Sequence, residues 1–265
     1  MNHTALITGA TSGIGEALAR RFAMNGFNLV VVSRDESHVN AVSARLEQEF
    51  GVTVVGLAED LTDPRAPERL KQELDSREIQ VEVLVNNAGR AAKGSFHQVP
   101  LEDHLQMLHL NIEALVRLTH LYIPEFLARG RGKILNVGSI AGFQPGPLLA
   151  VYHASKAFVV SFSEAIAEEL ADSPLSVTCL CPGPTDTEFF ARAHMEDSRV
   201  AQSESMLADP EDVAAGGYKA LMSGDRVYVH GGMNKALTFM RRLMPESVQA
   251  KLNERLYESS AKGQA

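Results

Sequence analysis

Cysteine is nearly absent: 265 residues hold two, Cys179 and Cys181, in the stretch SVTCLCPG. Two thiols two positions apart build no disulfide framework, which points to a reducing compartment. The pair has no further ligands nearby, so its plain reading is two buried thiols on one face of a strand. The histidines show no metal-ligand spacing, and no metal is assigned. A surplus of basic charge is also missing. The formal net charge is -8 and no basic face stands out, which argues against a nucleic-acid role. No apolar run approaches the roughly 20 residues that a bilayer span requires. The N-terminal MNHTALITGAT lacks the basic leader of a signal peptide, so a cytoplasmic location is expected. Repeats and low-complexity linkers are absent.

What is present is a composition able to bury a large core, 45% hydrophobic and 22% charged. Apolar, β-branched runs occur at 4–8, 29–33, 52–57, 81–87, 133–138, 176–181 and 226–230. Their near-continuous Val, Ile and Leu suit strands covered on both faces. Helical patterns lie between them at 13–25, 36–50, 66–77, 101–128, 152–171 and 210–223. Two of these open after Asp63-Pro64 and Asp209-Pro210, plausible helix starts. Such alternation predicts an α/β fold: a doubly wound, mostly parallel seven-stranded sheet with helices on both faces. Residues 1–232 read as one domain, with a substrate loop near 184–208, and 233–265 as a C-terminal helical extension. In that extension Leu237, Met240, Met244, Val248, Leu252 and Leu256 follow helical spacing, interrupted at Pro245, with Lys235, Arg241, Arg242 and Lys251 among them. Two readings stay open for it. One is a helix pair packed on the domain or on a partner subunit; the other is a membrane-surface helix or a lid on a cleft.

The first strand runs into TGATSGIGEALARRF, with Gly9, Gly13 and Gly15 between strand and helix. Glycines let backbone N–H groups approach a pyrophosphate, and the helix N-terminus adds partial positive charge. No Gly-Lys-Ser/Thr follows, which excludes a nucleotide-hydrolysing P-loop. At the end of the second strand a carboxylate would suit a ribose 2′-hydroxyl. The chain offers Ser33-Arg34-Asp35 instead, and the fork of Arg34 suits a 2′-phosphate. These residues favour NADP(H) over NAD(H).

In VYHASKA, Tyr152 and Lys156 stand four apart at the head of a helix and share a face. A nearby ammonium favours a phenolate, so the tyrosine could exchange protons near neutral pH. His153 is displaced by about 100° around the helix and is expected to face away from that chemistry.

In combination these segments resemble the short-chain dehydrogenase/reductase family over residues 1–232. The matching elements are TGATSGIG (8–15), Asp60 in EDL, NNAG (86–89), Asn111, Ser139 in NVGSIAG, YHASK (152–156) and PGPTDT (182–187). The resemblance implies a Rossmann-type fold and an oxidoreductase interconverting alcohols with ketones or aldehydes. It implies a catalytic set of Asn111, Ser139, Tyr152 and Lys156. Tyr152 protonates the substrate oxygen, Ser139 polarises the carbonyl, Lys156 bonds the cofactor ribose and lowers the phenol pKa, and Asn111 holds a relay water. Asp60 is assigned to the adenine amino group and Asn87 to the cofactor cleft. Pro182, Gly183 and Thr187 are assigned to the nicotinamide end. Thr11, Ser12, Ile14, Leu61, Ala88, Gly89 and Thr185 complete the cofactor set, and a homodimer or homotetramer is expected.

The substrate should rest where three stretches can meet: 143–149, Phe189-Phe190 with the chain beyond them to about 208, and 90–93. Phe143, Leu149 and Phe189 make the first two apolar, which favours a hydrophobic carbonyl or alcohol compound. Arg90 fits that picture less well. It either pairs with an anionic group on the substrate or is a solvated surface residue. A cofactor-binding sensor or scaffold without turnover is the alternative on the same fold.

Overall fold

The computed structural model describes residues 3–203, 206–241 and 245–258. Seven strands form one parallel sheet in the order β3-β2-β1-β4-β5-β6-β7. They are β1 Thr4–Thr8, β2 Asn28–Ser33, β3 Val54–Ala58, β4 Val83–Asn86, β5 Gly132–Val137, β6 Leu175–Cys181 and β7 Val227–Val229. The order reverses between β1 and β4, so the carboxyl ends of these two strands bound a crevice, where doubly wound sheets bind their ligands.

The strands are apolar on both sides because helices cover both. Successive side chains alternate between faces. Ala5, Ile7, Leu29 and Val31 enter one core, while Leu6, Val30 and Val32 enter the other. The first core is closed by α1 (Gly13–Met24), α2 (Glu36–Phe50) and α8 (Pro210–Ser223), through Leu18, Phe22, Leu46, Val213 and Leu221. The second is closed by α3 (Ala66–Ser76), α5 (Ala114–Arg129) and α6 (Ala150–Glu169), through Leu70, Leu74, Leu118, Phe126 and Ile166. Asp209 caps α8 by accepting from Glu211 N–H, as its Asp-Pro start suggests. Asp63 instead accepts from Arg65 N–H ahead of α3, which begins at Ala66 with Pro67 in its first turn.

One expectation needs correction. The single helix over 101–128 is interrupted: α4 (Leu101–Leu108) passes through a π-helical turn at His109–Glu113 before α5 begins. Such turns insert an extra residue and concentrate at functional sites. The extension is built of α9 (Gly232–Arg241) and α10 (Glu246–Tyr257). In α10 Val248 and Leu252 are 42% and 47% exposed, whereas Gln249 and Asn253 are buried. The Asn253 amide donates to Pro145 O at 2.7 Å, while Tyr257 packs on the apolar cluster of Leu149, Met195 and Val200. Arg242, Met244 and residues 204–205 and 259–265 of the expected segments lie outside the described residues. A short helix, α7 (Phe189–Arg192), sits in the expected substrate loop. Among the described residues no helix is long and apolar enough to cross a membrane.

Candidate active site

The glycine turn joins β1 to α1. Gly13 has φ +55°, and a Cβ there would lie 2.8 Å from the methyl of Thr187. Gly15 allows no side chain at all, since a Cβ would stand 2.1 Å from Gly9 O. Ser12 makes no side-chain cap, so the leading N–H groups of α1 have no acceptor from that residue. Beside them a cleft of about 320 Å³ has Thr11, Ser12, Gly13 and Thr187 in its wall, together with the acidic residues Glu16, Asp186, Glu188 and Glu211. Ile14 packs on the core below. Asn87 pins this turn to the end of β4, its amide donating to Thr8 O (2.9 Å) and Gly9 O (3.1 Å). Ala88 N–H donates to the Thr8 hydroxyl. A backbone cradle closed to side chains, beside uncapped helix donors, fits a pyrophosphate.

At the end of β2 the Thr11 hydroxyl donates to Ser33 Oγ at 3.0 Å, holding the glycine turn against that strand. Arg34 follows, exposed and, among the described residues, in no ion pair. Asp35, which could have held it, instead caps α2 by accepting from His38 N–H at 3.0 Å. Asp60 accepts from both the N–H and the hydroxyl of Thr62 through one oxygen, which leaves the other for a ligand. Leu61 is buried in the core with Leu6 and Val30, so only its backbone can serve a cofactor. Thr185 is buried and donates to Gly183 O, while Thr187 Oγ1 accepts from Phe189 N–H at the start of α7.

Ser139, Tyr152 and Lys156 come together from the end of β5 and the head of α6. Ser139 Oγ accepts from Ala141 N–H and caps the 3-10 turn Ile140–Phe143. Burial pushes the Tyr152 phenol up to about 12, against a hydrogen bond with Ser139 that draws it down. Lys156 is 6% exposed; its ammonium donates to Val137 O at 2.8 Å and stands 5.9 Å from the centre of the Tyr152 ring. Burial also brings the lysine down to about 8. Of the two influences on the phenol, burial is the larger.

The π-helical turn aims Asn111 between two segments. Its Oδ1 accepts from Arg90 N–H (2.9 Å), and its amide donates to Arg90 O and to Ser155 Oγ (both 3.0 Å). Asn111 thereby ties the NNAG loop to α6. Gly89 lies in the angle, its absent Cβ 3.4 Å from Asn111 Oδ1 and 3.6 Å from the Lys156 ammonium. Asn111→Ala strands both backbone groups of Arg90, and each unpaired group costs about 1–3 kcal/mol. The expected result is a loss of about 2–6 kcal/mol in urea unfolding.

The three stretches expected around the substrate do meet. Ala91, Leu149, Ala193, Met195 and Val200 form one buried cluster with Tyr152, Phe189, Phe190 and Tyr257 against it. Two assignments change. Phe143 packs instead with Leu115, Val159 and Val160, because its 3-10 turn directs it onto α6. Arg90 donates to Asp103 at 2.8 Å and to Gln106, both on α4, so its guanidinium already has a carboxylate. Sequence reading missed the contribution of α10. His153, expected to point away, is buried between Tyr152 and this helix, with its Nε2 3.0 Å from the Tyr257 hydroxyl. The signal was Gly146: a Cβ there would lie 2.1 Å from the His153 ring. Cys179 and Cys181 are free and buried, their sulfurs 3.6 Å apart, on the Val159 side of β6. Among the described residues no group of three or more His, Cys, Asp or Glu could hold a metal ion.

Residues 3–197 match the model of the short chain dehydrogenase family. A very-long-chain 3-oxoacyl-CoA reductase of Laccaria bicolor is 37% identical over 78% of this chain, which spans only 60% of that protein. A short-chain dehydrogenase from Sphingobium yanoikuyae, solved with NADPH, is 34% identical and superposes with a TM-score of 0.81 over 91% of this chain and 93% of that one. The bulky-bulky ketone specific alcohol dehydrogenase of Comamonas testosteroni is 27% identical, with a TM-score of 0.77 and 99% of each chain covered.

Proposed function

The chain belongs to the short-chain dehydrogenase family, an oxidoreductase family acting between carbonyl and alcohol groups, and from that premise we propose that it reduces a hydrophobic ketone or aldehyde with NADPH, or runs the reverse oxidation. The observation that carries this reading is the convergence of Ser139, Tyr152 and Lys156 under an apolar cluster and beside a glycine turn.

The pyrophosphate would lie on the Gly9–Gly15 turn and the leading amides of α1, with Arg34 and Ser33 facing a 2′-phosphate. Asp60 keeps one oxygen for the adenine end, and Asn87 to Gly89 with Pro182 to Thr187 flank the nicotinamide end. When bound, the reduced nicotinamide supplies the hydride. The rest belongs to the protein. Ser139 donates to the substrate oxygen and holds it beside the phenol. Tyr152, protonated across the neutral range, gives its proton to that oxygen as charge develops there. Lys156 keeps a positive charge close to the phenol and so steadies the phenolate left behind. Asn111 fixes the loop that closes the site above Lys156. Leu149, Phe189 and Phe190 exclude water and favour an apolar substrate. The similarity to a ketone-specific dehydrogenase supports the same class.

The test is consumption of NADPH, measured by its absorbance, against neutral aryl and alkyl ketones and aldehydes. Saturable turnover is expected with several of them. Cofactor binding with no turnover across the whole panel would refute the reading in favour of a sensor.

A further inference from the structure

We propose that Tyr257 is a specificity-determining residue: α10 roofs the substrate chamber, and the Tyr257 ring sets the largest ketone the chamber admits. This rests on the proposed function, in that it takes the cluster around Tyr152 to be the substrate's place.

The roof is built in. A row of rings runs from α10 to α7, each in contact with the next. Tyr257 meets His153 with centroids 5.6 Å apart, His153 meets Tyr152 at 6.1 Å, Tyr152 meets Phe189 at 5.4 Å, and Phe189 meets Phe190 at 5.8 Å. The residue that acts on the substrate oxygen is therefore two rings from the last turn of α10.

The helix is bonded to both walls of the cleft. Asn253, 1% exposed, donates to Pro145 O in the 143–149 stretch. On the other wall Val200 N–H donates to Leu256 O at 3.3 Å. The two walls are themselves joined to the third stretch: Gly94 N–H donates to Leu148 O at 2.9 Å, and Lys93 pairs with Asp197 at 2.7 Å.

The orientation of the Tyr257 ring follows from proton chemistry. His153 Nδ1 lies 2.9 Å from Gln144 O, and a carbonyl can only accept, so Nδ1 carries the proton. In the neutral ring Nε2 is then an acceptor, and the Tyr257 hydroxyl donates to it. That bond satisfies the phenol's polar end at the rim and leaves its apolar body against the cluster of Leu149, Met195 and Val200. A roof that is aromatic inside and hydrogen-bonded outside suits a neutral substrate carrying apolar groups on both sides of its carbonyl.

The experiment compares the full-length wild type with Tyr257→Ala and Tyr257→Phe on a one-ring alkyl aryl ketone and a two-ring diaryl ketone. Tyr257→Ala is expected to raise the ratio of kcat/KM for the larger ketone over the smaller at least about fivefold, mainly through KM. Tyr257→Phe keeps the ring, so its ratio should stay within about twofold of wild type. A ratio unchanged in Tyr257→Ala overturns the proposal. Should that variant unfold below the assay temperature, Tyr257→Leu takes its place with the same outcomes. Absence of turnover in every form defeats the oxidoreductase reading instead. Titration calorimetry of the diaryl ketone then decides the roof alone: tighter binding to Tyr257→Ala than to wild type upholds it, and equal binding sinks it.

Discussion

Tyr152→Phe is expected to lose turnover by about a hundred- to ten-thousand-fold while binding NADPH within about twofold of wild type, since a positioned general acid contributes about that much to rate. The substitution removes one oxygen and leaves the ring. The contacts of that ring with Phe189 and His153 are apolar or edge-on and persist, so the fold should be kept. What disappears is the phenol hydroxyl that hydrogen-bonds with Ser139. Stopped-flow or steady-state absorbance gives the rate, and fluorescence titration of NADPH gives the binding. Equal turnover by the variant would remove Tyr152 from the chemistry. A parallel loss of binding would make it structural.

In the proposed reaction, the direction of proton transfer follows from the environment of the pair. Burial raises the phenol to about 12, so at neutral pH it holds its proton and is ready to donate. Burial lowers Lys156 to about 8, so at pH 7 the ammonium is still mostly charged. Among the described residues that charge has no carboxylate partner; it donates to Val137 O. An unpaired buried charge costs stability and is tolerated where it does work on a neighbouring group. Here the neighbour is the Tyr152 ring, and the anion left after proton donation is the species that the ammonium favours.

Much of the molecule is legible in the chain because the strands obey a simple rule. Runs such as TALIT and LVVVS are apolar at nearly every position, and only a sheet covered on both faces accepts that. The glycine turn, Tyr152 and Lys156 are legible for a related reason: each depends on local spacing along one turn or one helix. Contacts made across the fold are not. The π-helical turn at His109–Glu113 accompanies the bonds of Asn111 to Arg90 and Ser155, 21 and 44 residues distant, and no periodicity announces it. Arg90 reads as a stray cation until α4 brings Asp103 beside it. The buried side of α10 is not legible either, because the donors of Asn253 and Tyr257 answer carbonyl and imidazole acceptors that sequence spacing does not reveal.

Arg34→Ala is expected to lower kcat/KM with NADPH by about 10- to 150-fold and to leave that with NADH nearly unchanged. Hydrogen bonds between a guanidinium and a phosphate contribute about 1.5–3 kcal/mol, and each 1.36 kcal/mol is about tenfold. Arg34 is exposed, so solvent and salt screen it, and the lower end of that range is the better expectation at about 0.15 M salt. The geometry makes the residue available: Asp35 is engaged as the cap of α2, and no carboxylate among the described residues pairs with Arg34. Ser33 matters as much by what it is not. A carboxylate at Ser33 would repel a 2′-phosphate, whereas its hydroxyl accepts from Thr11 and holds the glycine turn in register with β2. Ser33→Asp should therefore act in the same direction as Arg34→Ala and further favour NADH. Initial rates with both cofactors, at low salt and at about 0.5 M salt, where screening is stronger, check the account. Equal use of NADH and NADPH by wild type would refute it, and so would an Arg34→Ala variant whose NADPH preference matched wild type.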